Sequence, residues 1–342
     1  MNPTSKELDS ATQKCQMILE ENGGRIAEKS RSIMLNDPKL AELKEPLEFI
    51  STNWRDPLTP SLLALSCKAV GGKPRDTHDS ALVMSLINLS FFLWDDIIDR
   101  SFSQVFKPTL SGKYGSGTTL IVGGMVPAKA FSILNNIEFN QTKKDSINRM
   151  IWNLLSVMAK VEIRSLKLRS QKTYSSETKL WKIKTESIDL ETCLRIGAII
   201  GNGSSSMLDS LGKYGSCLGT ILGLINDFRV ATNLTLELAD KIKLNTLPYS
   251  LLLASERSES LGKRLSHLLN KNKIDASSVK LVVEDMLETS VFEDIQKKVD
   301  FFVQESKESL EGLKENSAIL ALRTFIELQP KFFIESIPFI ES

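Results

Sequence analysis

The chain has 342 residues, 42% hydrophobic and 25% charged, with a formal net charge of +1. This balance allows a sizeable apolar core and supplies no bulk charge for nucleic acid or an acidic surface. Four widely spaced cysteines (Cys15, Cys67, Cys193, Cys217) and two histidines (His78, His267) form no CxxC or Cys/His cluster, which argues against a zinc centre or a histidine-based triad.

In chain order, the opening MNPTSKELDSATQKC has no apolar signal core, and no apolar run reaches membrane-spanning length without interruption. A reduced, cytoplasmic protein with no transmembrane segment is predicted, with peripheral membrane attachment left open. Met1 to Ile50 is helical in pattern and carries no legible chemistry. ALVMSLINLSFFLWDDII is almost wholly apolar before its acids, as in a helix inside a bundle. Further helical stretches run through INRMIWNLLSVMAKVEIRSLKL, LETCLRIGAIIG, MLDSLGKYGSCLGTILGLINDFRV, VKLVVEDMLETSVFEDIQKKVDFFVQESKESLEGL and AILALRTFIEL. Breaks fall at AVGGKPRD, FKPTLSGKYGSG, RSQKTYSSE and NKNKIDASS, and none is an interdomain linker. One all-α bundle domain over residues 1–342 is the simplest account.

FFLWDDIIDR places three acids among aromatic and branched aliphatic residues. On a helix, Asp95 and Asp99 project from one face with Asp96 beside them. Such a stripe suits a hard cation with oxygen ligands, such as Mg²⁺, which commonly bridges carboxylates to a substrate's phosphates. A helix end surfacing into solvent is the other reading. Asn226 and Asp227 interrupt LGTILGLINDFRV in a similar way. They form either a second bank of an acid-lined cavity or an Asn-Asp turn at a helix end.

In order along residues Asn53 to Glu256, AVGGK (69–73), WDDIID, KPTLSGKYGSG, AKAF (128–131), KTES (184–187), YGSCLGTILGLINDF and NTLPYSLLLASE resemble the trans-isoprenyl diphosphate synthase family. The wider resemblance is to the class I isoprenoid synthase fold that terpene synthases share. It implies a single-domain helical bundle with a central cavity, where the first aspartate motif holds Mg²⁺ against the diphosphate of an allylic prenyl substrate. Ionisation leaves an allylic cation, attacked by isopentenyl diphosphate or by a double bond of the same molecule. The metal clamps the leaving group and apolar walls exclude water.

Departures from the family pattern concentrate on the acceptor side. Lys73 is kept, but Asp76 stands at an arginine position, with Arg75 a possible stand-in, and Asn88 stands at a histidine position. Gln104 and Val105 replace paired arginines; Arg100 and Lys107 are nearby without matching in position. In the second motif Gly223, Asn226 and Val230 stand where glutamine and two aspartates are expected, leaving Asp227. NDFRV also resembles the opening of the terpene synthases' own second motif, although its later metal positions hold Val230 and Leu234; Thr232 or Glu237 would serve only on a distorted helix. The leading expectation is therefore a terpene synthase needing no isopentenyl diphosphate. The alternative is a trans-prenyltransferase, geranylgeranyl or farnesyl diphosphate synthase-like, with a divergent acceptor site. Third is a non-catalytic partner subunit.

The resemblance assigns Asp95, Asp96 and Asp99 to Mg²⁺ and catalysis, Asn226 and Asp227 to a further Mg²⁺, and Lys73, Lys184 and, more weakly, Arg229 and Lys243 to the diphosphate. Trp94 would stack on a cationic intermediate, and Phe91, one turn before Asp95, would close the cavity floor and favour geranyl to geranylgeranyl chains. A homodimer is expected, or a hetero-oligomer with an active paralogue.

Overall fold

The computed structural model describes residues 5–104, 107–170, 175–232, 236–271 and 274–335. Long apolar-periodic stretches close into α1 (Ser5–Leu19), α2 (Arg25–Ser32), α3 (Lys44–Asn53), α4 (Leu58–Ala69), α5 (His78–Ile98), α6 (Leu110–Asn136), α7 (Gln141–Ser170) and α8 (Ser176–Glu186). The chain continues through α9 (Ile188–Ile200), α10 (Ser205–Thr232), α11 (Leu236–Lys243), α12 (Tyr249–Arg257), α13 (Glu259–Leu269), α14 (Ala276–Leu287), α15 (Val291–Ser309) and α16 (Ser317–Glu335). Among the described residues, strand is limited to a two-residue ribbon, β1 (Ser103–Gln104) pairing antiparallel with β2 (Lys107–Pro108).

Helix α5 is buried nearly throughout from Ser80 to Ser90, because an almost all-apolar helix can hide every face only inside a bundle. It packs against α6 on one side and α4 on another, while α9 lies between α4 and α10. Helix α7 shows the complementary pattern: Ile147, Ile151, Leu154, Val161 and Ser165 form one buried stripe, and the other faces are wetted.

Two boundaries differ from the sequence reading. The break expected through FKPTLSGKYGSG ends at Thr109, whose side chain caps α6 by accepting the Gly112 N–H at 3.0 Å. Gly115, at φ +82°, then kinks the helix without ending it. The single helix expected from Val279 onward is split at residues 288–290 into α14 and α15. Two helices, Pro74–Ile98 and Leu110–Asn136, are long and apolar enough to cross a membrane, where the sequence reading expected none. The first is 67% buried over its apolar window, as a central core helix must be, and the second 33%.

Candidate active site

Asp95 and Asp96 lie in the last turn of α5, with Asp99 at its C-cap. A helix C-terminus is the negative end of the dipole, so acids there need cations from elsewhere. Helices α7 and α11 supply them. Arg169 Nη1 is 2.9 Å from Asp99 Oδ1, and Lys241 Nζ is 2.8 Å from Asp99 Oδ2. Burial alone would raise the Asp99 carboxyl, but Lys241 and Arg169 outweigh it and hold the group at about 2.

Opposite α5, Asn226 and Asp227 sit inside α10, which continues to Thr232, so the turn reading does not apply. The two banks share a cavity of about 230 Å³ bounded by α5, α7, α8, α10 and α11. Five acids line it (Asp95, Asp99, Glu162, Glu186, Asp227) against four cations (Arg169, Lys179, Lys182, Lys241). Lys182 pairs with Glu162 and lies 2.5 Å from Glu186 Oε1. Lys179 Nζ is 3.4 Å from Asp227 Oδ1, and Asp227 Oδ2 accepts the Tyr249 N–H at 2.6 Å. Burial raises the Asp227 carboxyl, opposed first by Lys179. Solvent entering the mouth wets Asp95, while the surrounding protein pushes its carboxyl up, to about 8; Glu162 adds to the rise and Lys182 opposes it.

The cavity gathers Asp95, Asp99, Asn226 and Asp227, and Gly223 and Val230 also line it. Asp96 does not line it; one step further round α5, it is 2% exposed. Lys184 is placed on the opposite face of α8, its Nζ 5.4 Å from the centroid of the Phe302 ring. Arg229 and Lys243 project to solvent from α10 and α11. Lys73 precedes α5 at the end remote from Asp95. The helix between them is ~25 Å long, which sets Lys73 well apart from the acids. Arg75 is exposed beside Asp76, 3.7 Å away. Asn88 instead meets the start of α4, its Nδ2 donating to Thr59 Oγ1 at 2.8 Å.

Trp94 lies against α6, where a Cβ at Gly123 would meet its Nε1 at 2.7 Å, and Phe91 packs edge-on against Trp94 at 6.1 Å between centroids. Neither lines the cavity. Thr232, the last residue of α10, donates its Oγ1 hydroxyl to the Phe228 carbonyl at 3.0 Å and does not line the cavity. Val105, Leu234 and the side chains of Gln104 and Glu237 lie outside the described part.

Sequence reading missed Glu162, Arg169, Lys179, Lys182, Glu186 and Lys241. A signal existed: 162 and 169 are seven apart, and 179, 182 and 186 fall on one helical face.

Among the described residues, no three His, Cys, Asp or Glu side chains converge as a ready-made metal cage. A cation of the Mg²⁺ type needs only one or two carboxylates and completes its shell with water and phosphate. Asp95, which forms no ion pair among the described residues, meets that need together with Asp99 once Arg169 and Lys241 release its two oxygens. Asp227 is also engaged at both oxygens, by Lys179 and by the Tyr249 N–H, and the backbone donor, unlike a side chain, cannot turn away.

The polyprenyl synthetase family model matches residues 43–286, more than half of the chain. The chain belongs to the polyprenyl synthetase family. A heterodimeric geranylgeranyl pyrophosphate synthase large subunit 2 of Arabidopsis thaliana is 28% identical over 224 residues, 60% of this chain and 58% of that protein. The chain thus spans well under two thirds of that relative's length. A geranylgeranyl diphosphate synthase of Methanosarcina mazei is 21% identical over 262 residues, covering 75% and 80% of the two chains. Among solved structures, the geranylgeranyl pyrophosphate synthetase of Pyrococcus horikoshii superposes with a TM-score of 0.80 at 18% identity, over 95% of this chain and 98% of the other. The all-α isoprenoid synthase fold is therefore this chain's fold. The two curated relatives are prenyl diphosphate synthases by name, one of them a subunit of a heterodimer, which backs the prenyltransferase alternative, lends some weight to the subunit reading and leaves the acceptor-free terpene synthase expectation without support.

Proposed function

We propose that this polyprenyl synthetase is a Mg²⁺-dependent trans-prenyltransferase of the cytoplasm that joins an allylic prenyl diphosphate to isopentenyl diphosphate. The observation that carries the proposal is the facing of Asp95 and Asp99 on α5 by four cations from α7, α8 and α11 across one cavity. Its relatives' names support the choice of elongation.

Asp95 and Asp99 would hold the metal, which when bound supplies charge neutralisation for the leaving diphosphate. Arg169 and Lys241, now paired with Asp99, would turn to the diphosphate oxygens, and Lys182 would add a third donor. The allylic C–O bond breaks with its electron pair leaving on diphosphate. The isopentenyl double bond then forms the new C–C bond, and a proton is lost to the released diphosphate.

A second reading, a subunit working beside an active synthase, is favoured by the Asn88–Thr59 hydrogen bond, which puts a neutral pair where an acceptor-binding cation was expected. Incubation with Mg²⁺ and geranyl, farnesyl or geranylgeranyl diphosphate, with and without isopentenyl diphosphate, tests both. Longer diphosphates formed only with the acceptor support elongation. Hydrocarbon or alcohol formed without it would restore the terpene synthase reading. No turnover alone, with stimulation of a related synthase, would select the subunit.

A further inference from the structure

Helix α8 has two working faces. Lys179 and Lys182 line the acidic cavity, while Leu180 and Lys184 look the other way into a separate cleft of about 430 Å³ formed with α12 and α15. Arg257 of this cleft is neutralised by Asp294. Lys184, Lys297 and Lys298 also line it, and none of the three forms an ion pair with an acid among the described residues. In a chain of net charge +1, three uncompensated ammonium groups around one concavity create a local positive field that selects an anion. Phe301, 57% exposed, stands edge-on to Phe302 at 5.2 Å between centroids, and the two rings give the cleft an apolar wall. An exposed aromatic beside unpaired lysines suits a ligand with an anionic head and an apolar chain.

We infer that this cleft is a second, metal-independent binding site for a prenyl diphosphate, back to back with the active cavity. The lysines take the diphosphate head and Phe301 and Phe302 take the first part of the chain. Tyr249 couples the two sites, because it lines the cleft while its backbone N–H donates to Asp227 at 2.6 Å. Occupancy of the cleft therefore acts on the second bank of the cavity and adjusts turnover. The choice of a prenyl diphosphate rests on the proposed function; the charge and shape of the cleft do not.

The test is a titration of the purified protein with farnesyl diphosphate in EDTA, read by calorimetry. Without metal the cavity cations stay paired with Asp99, Asp227, Glu162 and Glu186, whereas the cleft lysines have no acid partner to leave among the described residues. Saturable binding at one site is expected, weakened at least ~10-fold in the surface double variant Lys297→Ala/Lys298→Ala and retained in Asp95→Asn. No metal-free binding, or binding that survives the double variant, overturns the inference. Binding to vesicles of phosphatidylglycerol without binding of the soluble diphosphate also overturns it and assigns the cleft to a lipid surface. Failure of the turnover assay leaves this titration intact, so the two failures are separable.

Discussion

Asp95 forms no ion pair among the described residues, whereas Asp99, one turn on, is gripped from both sides by Arg169 and Lys241. This asymmetry makes Asp95 the more available metal ligand. Asp95→Asn is expected to lower kcat at least ~100-fold with an unchanged circular dichroism spectrum. Lys179 neutralises an Asp227 that is only 8% exposed. Lys179→Met should cost about 2–4 kcal/mol in urea unfolding, and added Mg²⁺ should recover part of that loss by entering the vacated position. Asp189 shows the opposite economy of charge. Burial pushes its carboxyl up to about 7, with Glu186 and Asp56 adding to the rise. A carboxyl raised in the folded state contributes stability that is present below its ordinary value near 4 and lost as pH rises through about 7. Asp189→Asn should therefore raise Tm at pH 8 and leave it nearly unchanged at pH 4. The acids of α5 were legible in the sequence because charge among core residues is anomalous. Their partners were not, since a lysine or arginine on a helix reads the same whether it faces water or a carboxylate.

At the level of elements, register decided which sequence assignments landed in the cavity. Lys184 lay within the expected KTES segment, yet α8 turns Lys179, Lys182 and Ile183 inward and Lys184 outward. Similarly, Lys241 enters the cavity and Lys243, two residues on, does not. Periodicity shows which residues share a helix face but not which of two polar faces meets the site. Lys73 stands apart for another reason: the length of α5 separates it from the acids. The α5–α6 contact gives a prediction of its own. Gly123 leaves room for the Trp94 indole, so Gly123→Val should cost about 1–3 kcal/mol by overpacking. It should also lower activity, because the displaced indole adjoins Asp95; melting curves and kcat measured together would show both.

For the whole molecule, the all-helical bundle was legible from periodicity, and the family from ordered motifs, because both are spread over the chain and survive local divergence. Assembly was less so. Helix α6 exposes Leu120 and Ile121 at 60% and 59%, and α7 exposes Trp152 at 71%, an amount of apolar surface that favours a partner. A dimer is expected by light scattering, with Leu120→Lys/Ile121→Lys shifting it to monomer. The pairing of every cavity cation with an acid has a kinetic consequence. With each cavity cation already held by an acid, substrate capture under the proposed function would be an exchange of partners rather than a simple addition. Metal arriving alone must compete with Arg169 and Lys241 for Asp99, whereas a metal–diphosphate complex offers those cations a replacement anion. Such a cycle would favour joint entry of metal and substrate, with product leaving as the original pairs re-form behind it.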